Sequence, residues 1–232
     1  MSFKERLFLF LSGVFLTALV LGNIIGTTKF VNVFGLTVPA GVLAYPFTFL
    51  ATDLICELYG KKRAQTIVWT GFAMNFFMLG VMTLGHLLPD ARGISGATST
   101  FESVYQFMVG NVIASMIAYL VAQTVDVHMF HFWKKLTKGK HLWLRNNLST
   151  TASQLVDTTA ILTILYYANN LGNNVNTFGD VLPLIYYSYL FKFFFALFDT
   201  PLFYIGVWAL KPKVHEDPTE VWGYKRFGEE AI

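Results

Sequence analysis

Six runs of apolar residues, each close to twenty residues long, constrain this chain more than any other feature. They lie at about 7–25, 38–59, 64–88, 103–125, 149–171 and 184–209. A bilayer core about 30 Å thick takes roughly 20 helical residues to cross. Within hydrocarbon the backbone polar groups must be satisfied inside each segment, which favours helices. The fold expected is therefore all-α, a polytopic membrane protein with six transmembrane helices. Charged residues make up only 13% of the chain, against about 25% in soluble globular proteins. Residues 1–211 read as one transmembrane domain and 212–232 as a polar cytoplasmic tail. The first run is too long for a typical signal-peptide core, and no small-x-small cleavage site follows it.

The cations orient the bundle. Lys4 and Arg6 precede the first span, and Lys61, Lys62 and Arg63 join the second and third. Lys134, Lys135, Lys138, Lys140 and Arg145 join the fourth and fifth, and Lys211, Lys213, Lys225 and Arg226 follow the sixth. That places 14 of the 17 lysines and arginines on one side. The opposite loops hold Lys29 and Arg92, while Lys192 falls within the sixth span. The positive-inside rule then puts both termini in the cytoplasm. In the outer loop, Ser99 and Glu102 have capping-box spacing for the start of the fourth span. The inner loop 128–147 carries Trp133 and Trp143 among its lysines; a solvated loop is expected there rather than an amphipathic extension of the fourth span. Cys56 is the single cysteine, so no internal disulfide is available.

The stretch 45–63, YPFTFLATDLICELYGKKR, is the centre of the polar chemistry. Asp53 and Glu57 are four residues apart and share one helical face. A charge inside a bilayer is costly and is usually retained for function. From the helical rise, Asp53 lies about 9 Å, Gln154 about 8 Å and Asp157 about 12 Å from the inner ends of their spans. Asp199 and Asn75 reach about 15–16 Å, with Asn111 at a similar level. Five spans thus send polar groups to one layer, as in a transporter with a midplane cavity. Isolated interhelical hydrogen bonds are the competing reading, especially for Asn75 and Asn111.

Lys192 and Asp199 are seven residues apart on one side of a helix, expected to meet there or to bridge to neighbouring spans. Glu57, near the inner edge, is placed to pair with Lys61. Asp53, Glu57, Asp157 and Asp199 face one intramembrane lysine, so protons or a donor-rich ligand are expected to balance the excess of acid. A flat heterocycle with several donors suits that set, with Tyr45, Phe47 or the 193–195 phenylalanines able to stack on it. An enzyme is not expected: no Gly-x-Ser-x-Gly, His-Glu-x-x-His or Cys-x-x-Cys occurs. His86, His128, His131, His141 and His215 read as interfacial or tail residues rather than metal ligands. No metal or other cofactor is expected.

The segments Tyr45-Pro46-Phe47 with Ala51-Thr52-Asp53-Leu54, Ala114-Ser115…Ala118-Tyr119…Gln123…Asp126-Val127, and Ser149-Thr150…Gln154…Asp157-Thr158 resemble the vitamin uptake transporter family. Its members include bacterial queuosine precursor transporters. The resemblance implies a protein of the bacterial cytoplasmic membrane that imports 7-cyano-7-deazaguanine, 7-aminomethyl-7-deazaguanine or queuine. Its partners would be that small molecule and the lipid bilayer, not nucleic acid, and a homo-oligomer stays open. Motif matches carry Asp53, Gln154 and Asp157 into the substrate-binding role, and Asp126 more weakly. Asn75, Asn111, Lys192, Asp199, Glu57 and Tyr45 complete the candidate set. The alternatives are a substrate-binding subunit of an ATP-driven vitamin importer, docked through small residues such as Ala18 and Gly22, or a non-transporting structural membrane protein.

Overall fold

A computed structural model describes residues 2–26, 28–90, 98–137, 142–171 and 175–215; within these, the side chains of 61, 123, 126–127, 130–131, 134, 142–147, 149–150, 199–200 and 215 are not described. Six α-helices dominate: α1 (Phe3–Ile25), α2 (Tyr45–Tyr59), α3 (Lys61–Leu87), α4 (Thr98–Leu136), α5 (Leu142–Tyr167) and α6 (Phe178–His215). Five segments within α1, α2, α3, α4 and α6 are long and apolar enough to cross a membrane, the second of them reaching back to Ala40. α5 is not among them, because Ser153, Gln154, Asp157, Thr158, Thr159 and Thr163 interrupt its apolar run. Outside the bundle, large apolar side chains stay exposed, including Phe77 and Trp208. A water-soluble domain would expose no such contiguous surface, whereas lipid covers it without cost.

Helix boundaries follow local chemistry. Ser2 and Glu5 form a reciprocal capping box at the start of α1: Glu5 N–H donates to Ser2 Oγ at 3.2 Å, and Ser2 N–H to Glu5 Oε2 at 2.9 Å. Gly60, with φ 87°, is the single residue between α2 and α3, so the chain reverses there with almost no loop. At the start of α6, Asp180 Oδ2 accepts from the N–H groups of Asn176 and Thr177 and from the Thr177 hydroxyl. Pro183, Pro201 and Pro212 all lie inside α6.

Several expectations are corrected. The second span is not one helix from Val38: a hairpin of β1 (Phe30–Val33) and β2 (Leu36–Pro39) leads into a 3₁₀ turn, Ala40–Ala44, before α2 begins. The fold is therefore helical with one small sheet rather than purely all-α. Val31, Val33, Thr37 and Val38 are β-branched and favour a pleated ribbon. Phe34 and Gly35, at φ 52° and 85°, close it with the positive φ values of a two-residue hairpin turn.

α4 continues to Leu136, through residues expected to form a solvated loop. Its 39 residues extend about 58 Å, well beyond a bilayer core. α6 likewise continues past the expected tail boundary at 212 to His215, and Val214 is buried. Residues 216–232 lie outside the described residues. The capping box expected of Ser99 and Glu102 does not form. α4 already starts at Thr98, and Glu102 pairs with His86 Nδ1 at 2.7 Å instead.

Packing is divided among three apolar clusters. One joins α1, α2 and α3 through Leu11, Phe15, Leu54, Ile55 and Ile67, a second joins α5 and α6 around Leu165 and Val181, and a third joins α3 and α4 through Met78 and Met108. The polar residues are gathered between these clusters.

Candidate functional site

A cavity of about 430 Å3 is lined by residues of all six helices and of the 3₁₀ turn. That volume is in the range of small-molecule sites, roughly 300–1,000 Å3. Helical spacing explains which face each element offers. From α2 come Tyr45, Thr48, Phe49 and Thr52, at i, i+3, i+4 and i+7. From α5 come Gln154, Asp157, Thr158 and Ile161. From α6 come Ser188 and Lys192, one turn apart.

The most polar wall is an ion pair. Lys192 Nζ donates to Asp157 Oδ2 at 2.9 Å. The Tyr45 hydroxyl donates to the same oxygen at 3.0 Å, and the lysine nitrogen stands 4.0 Å from the centre of the Tyr45 ring. One carboxylate oxygen thus gathers donors from α2 and α6 onto α5. Lys192 is 5% exposed, so its charge depends on this partner and on the ring face. Asp157 Oδ1 receives no hydrogen bond among the described residues. Pro46, in the first turn of α2, requires no backbone donor there and holds Tyr45 at the helix start.

A chain of amides also lines the cavity. Asn23 Nδ2 donates to Asn75 Oδ1 at 3.0 Å, and Asn23 Oδ1 accepts from Asn111 Nδ2 at 3.3 Å and from Ser115 Oγ at 3.1 Å. These bonds tie α1, α3 and α4 together while all four residues also line the cavity. Asn75 and Asn111 therefore fill both roles weighed from the sequence. Sequence reasoning misses Asn23; its only signal is an amide near the end of an otherwise apolar run.

Six of the nine expected site residues line the cavity: Tyr45, Asn75, Asn111, Gln154, Asp157 and Lys192. Gln154 makes no hydrogen bond among the described residues. Asp53 is exposed and is not among the lining residues, because it lies about a quarter-turn from the face that α2 gives to the cavity. Glu57 is turned the same way and pairs with Lys211 at 2.7 Å; the side chain of Lys61, its expected partner, lies outside the described residues. Lys192 bridges to Asp157 on a neighbouring helix, one of the two arrangements expected of it; the side chains of Asp199 and Asp126 lie outside the described residues. Of the four acids set against one lysine in the sequence, Asp157 lines the cavity, Asp53 and Glu57 do not, and the side chain of Asp199 lies outside the described residues. Among the described lining residues, Asp157 and Lys192 are the only charged groups, and they neutralise one another.

Close backbone approach shapes the upper wall. Gly41 N–H donates to Gly26 O at 3.1 Å, and a Cβ on Gly41 would fall against Gly22 O and 2.8 Å from Gly26 Cα. Gly22 and Ala18, the small residues that the alternative importer-subunit reading would use for docking, line the cavity within this chain. Among the described residues, no three His, Cys, Asp or Glu side chains gather to hold a metal ion.

The model of the vitamin uptake transporter family matches residues 39–206. The "Probable queuosine precursor transporter" of Bacillus subtilis (strain 168) is 33% identical over 181 residues, 76% of this chain and 74% of that protein. The "Probable queuosine precursor transporter" of Haemophilus influenzae is 30% identical over 158 residues, 68% of this chain and 63% of its own length. The "Queuosine precursor transporter" of Escherichia coli (strain K12) is 28% identical over 137 residues, 59% of each chain. No solved structure matches. All three relatives carry transporter names and none an enzyme name, in line with the expectation that this chain is not an enzyme. With several apolar helices of spanning length, the chain is a multi-pass membrane protein, and it belongs to the vitamin uptake transporter family.

Proposed function

We propose that this protein imports a queuosine precursor, a 7-substituted 7-deazaguanine, across the bacterial cytoplasmic membrane through the cavity between its six helices. In this reading α5 is the sixth span, its polar residues shielded by α4 and α6, and both termini are cytoplasmic. The transport domain runs to the end of α6 at His215, past the boundary expected at 211, and the residues beyond it form a cytoplasmic tail. The observation that carries the proposal is Asp157, whose Oδ1 takes no bond while Gln154, one turn away, stands unbonded on the same cavity wall.

A guanine-like edge presents a ring N–H beside an exocyclic amine. Because Asp157 Oδ2 already accepts from Lys192 and Tyr45, a base held by both carboxylate oxygens would displace one of them. A base that gives one donor to Oδ1 and the other to the Gln154 amide oxygen needs no such exchange. Bonds to the charged oxygen are about twice as strong as neutral ones, so Asp157 is the anchor. Asn75 and Asn111 remain available to the opposite edge. Asp53 and Glu57 are left to positions outside the binding surface.

The test is uptake of labelled 7-cyano-7-deazaguanine by cells expressing the protein. Unlabelled guanine should compete better than hypoxanthine, which lacks the exocyclic amine. Saturable uptake with no preference between the two would remove Asp157 and Gln154 from the recognition of that edge. A strict requirement for a separate ATP-hydrolysing module would favour the importer-subunit reading, although the helix-one glycine and alanine it would use are engaged internally. No uptake at all would leave a structural membrane protein.

A further inference from the structure

Serine and threonine hydroxyls inside helices usually bond to a carbonyl one turn back, and this chain follows the rule at Ser12, Thr48, Thr52, Thr83 and Thr124. Thr158 and Ser188 break it. Both are at least nine-tenths buried, at 3% and 1% exposure, and neither hydroxyl has a hydrogen-bond partner among the described residues. Both residues belong to the cavity wall: Thr158 follows Asp157 in sequence on α5, and Ser188 is one turn before Lys192 on the same face of α6. A buried polar group left unbonded is costly, so such pairs are kept where something else supplies the bond.

Lys192 adds to the same unmet demand. Its ammonium carries three N–H donors; one reaches Asp157, and the ring of Tyr45 covers one side. Among the described residues this corner therefore holds two hydroxyls and an ammonium with donors to spare, and the carboxylate beside them, Asp157, is already paired with Lys192. We infer that Thr158, Ser188 and Lys192 form a subsite for an uncharged hydrogen-bond acceptor on the ligand, such as a nitrile or carbonyl, and that it discriminates against a cationic substituent. A second ammonium placed there would meet Lys192 as a like charge, beside an ammonium whose own spare donors are unmet. Resting on the proposed function, this deepens it: the 7-cyano base fits, and the 7-aminomethyl base, a cation at neutral pH, does not.

The experiment measures dissociation constants on the purified full chain in detergent for three bases: 7-cyano-7-deazaguanine, 7-aminomethyl-7-deazaguanine and unsubstituted 7-deazaguanine. The cyano base should bind roughly tenfold more tightly than the aminomethyl base. Ser188→Ala and Thr158→Val delete only unbonded hydroxyls, so neither variant should melt below the wild-type protein. Each should weaken the cyano base about threefold or more while leaving unsubstituted 7-deazaguanine unchanged. Equal or tighter binding of the aminomethyl base overturns the inference, as does a loss shared equally by all three bases. If the wild-type protein binds the unsubstituted base but shows no preference between the other two, the subsite alone fails. If it binds none of the three, the transport reading fails and the subsite with it.

Discussion

Lys192 Nζ on α6 lies 2.9 Å from Asp157 Oδ2 on α5, although the two residues are 35 positions apart in the chain. Tyr45 completes the arrangement from α2 by donating to the same oxygen and offering its ring to the ammonium. Three helices thus meet at one carboxylate on the wall of the cavity. Two of the acids apparent in excess in the sequence are paired differently: Asp157 with Lys192, and Glu57 with Lys211 outside the cavity.

Breaking this pair on one side leaves a buried charge uncompensated, a loss of about 3–5 kcal/mol, whereas removing both partners can be nearly neutral. Lys192→Ala should therefore lower the melting temperature of the detergent-solubilised protein, and Lys192→Ala with Asp157→Ala should recover part of the loss. Lys192→Ala with Asp199→Ala is the control and should recover none. Recovery by the Asp199 change instead would reassign the lysine's partner.

Gln154 is the cleanest probe of recognition, because it lines the cavity without a bond of its own among the described residues. Gln154→Leu keeps the volume and removes the amide. Uptake should fall roughly tenfold, equivalent to about 1.4 kcal/mol, with expression and melting temperature unchanged. Normal uptake by this variant would place the base elsewhere in the cavity.

Gly41 tests the close packing between the 3₁₀ turn and α1. In Gly41→Ala the new methyl would meet backbone atoms of Gly22 and Gly26, which cannot rotate away as a side chain can. A destabilisation of about 1–3 kcal/mol is expected from overpacking. Gly80→Ala is the matched control, since a methyl group there would have nothing within 4 Å. Equal melting temperatures for the two variants would contradict the contact.

Orientation is tested by accessibility. In a background with Cys56 replaced, a cysteine at Ser95 should react with an impermeant probe in intact cells, and one at Thr137 should react only after lysis. The opposite pattern would invert the positive-inside assignment.

Phe34 has φ 52° at the hairpin tip and is 97% exposed. Phe34→Asn supplies a residue that tolerates this conformation and should raise stability by about 0.5–1 kcal/mol, read as a higher melting temperature. A fall would mean that the exposed ring contributes more than the strain costs.

Composition along the chain is enough to specify the class of fold. Apolar runs of spanning length foretell a helical membrane bundle, and five helices meet that criterion in the structure. Polar residues set within those runs mark Tyr45, Asn75, Asn111, Gln154, Asp157 and Lys192, all of which line the cavity. Such residues are legible because each is an exception to its apolar surroundings, and an exception needs no partner to be noticed.

Partners are another matter, since they depend on the rotation of each helix about its axis and on which neighbour it meets. A rotation of about 100° per residue is enough to turn Asp53 from the cavity while Thr52 stays on it. Depth along a span, which the sequence does supply, cannot distinguish those two outcomes. The same limit hides Asn23, Thr158 and Ser188, whose significance lies in bonds made or unmade across helices. It hides the hairpin as well, because a short β-branched run between two spans reads as more of the same apolar segment until its strands are seen to pair. Hydrogen bonding and charge pairing act over about 3 Å, between atoms that chain order leaves unrelated, so these features exist only once the helices have packed.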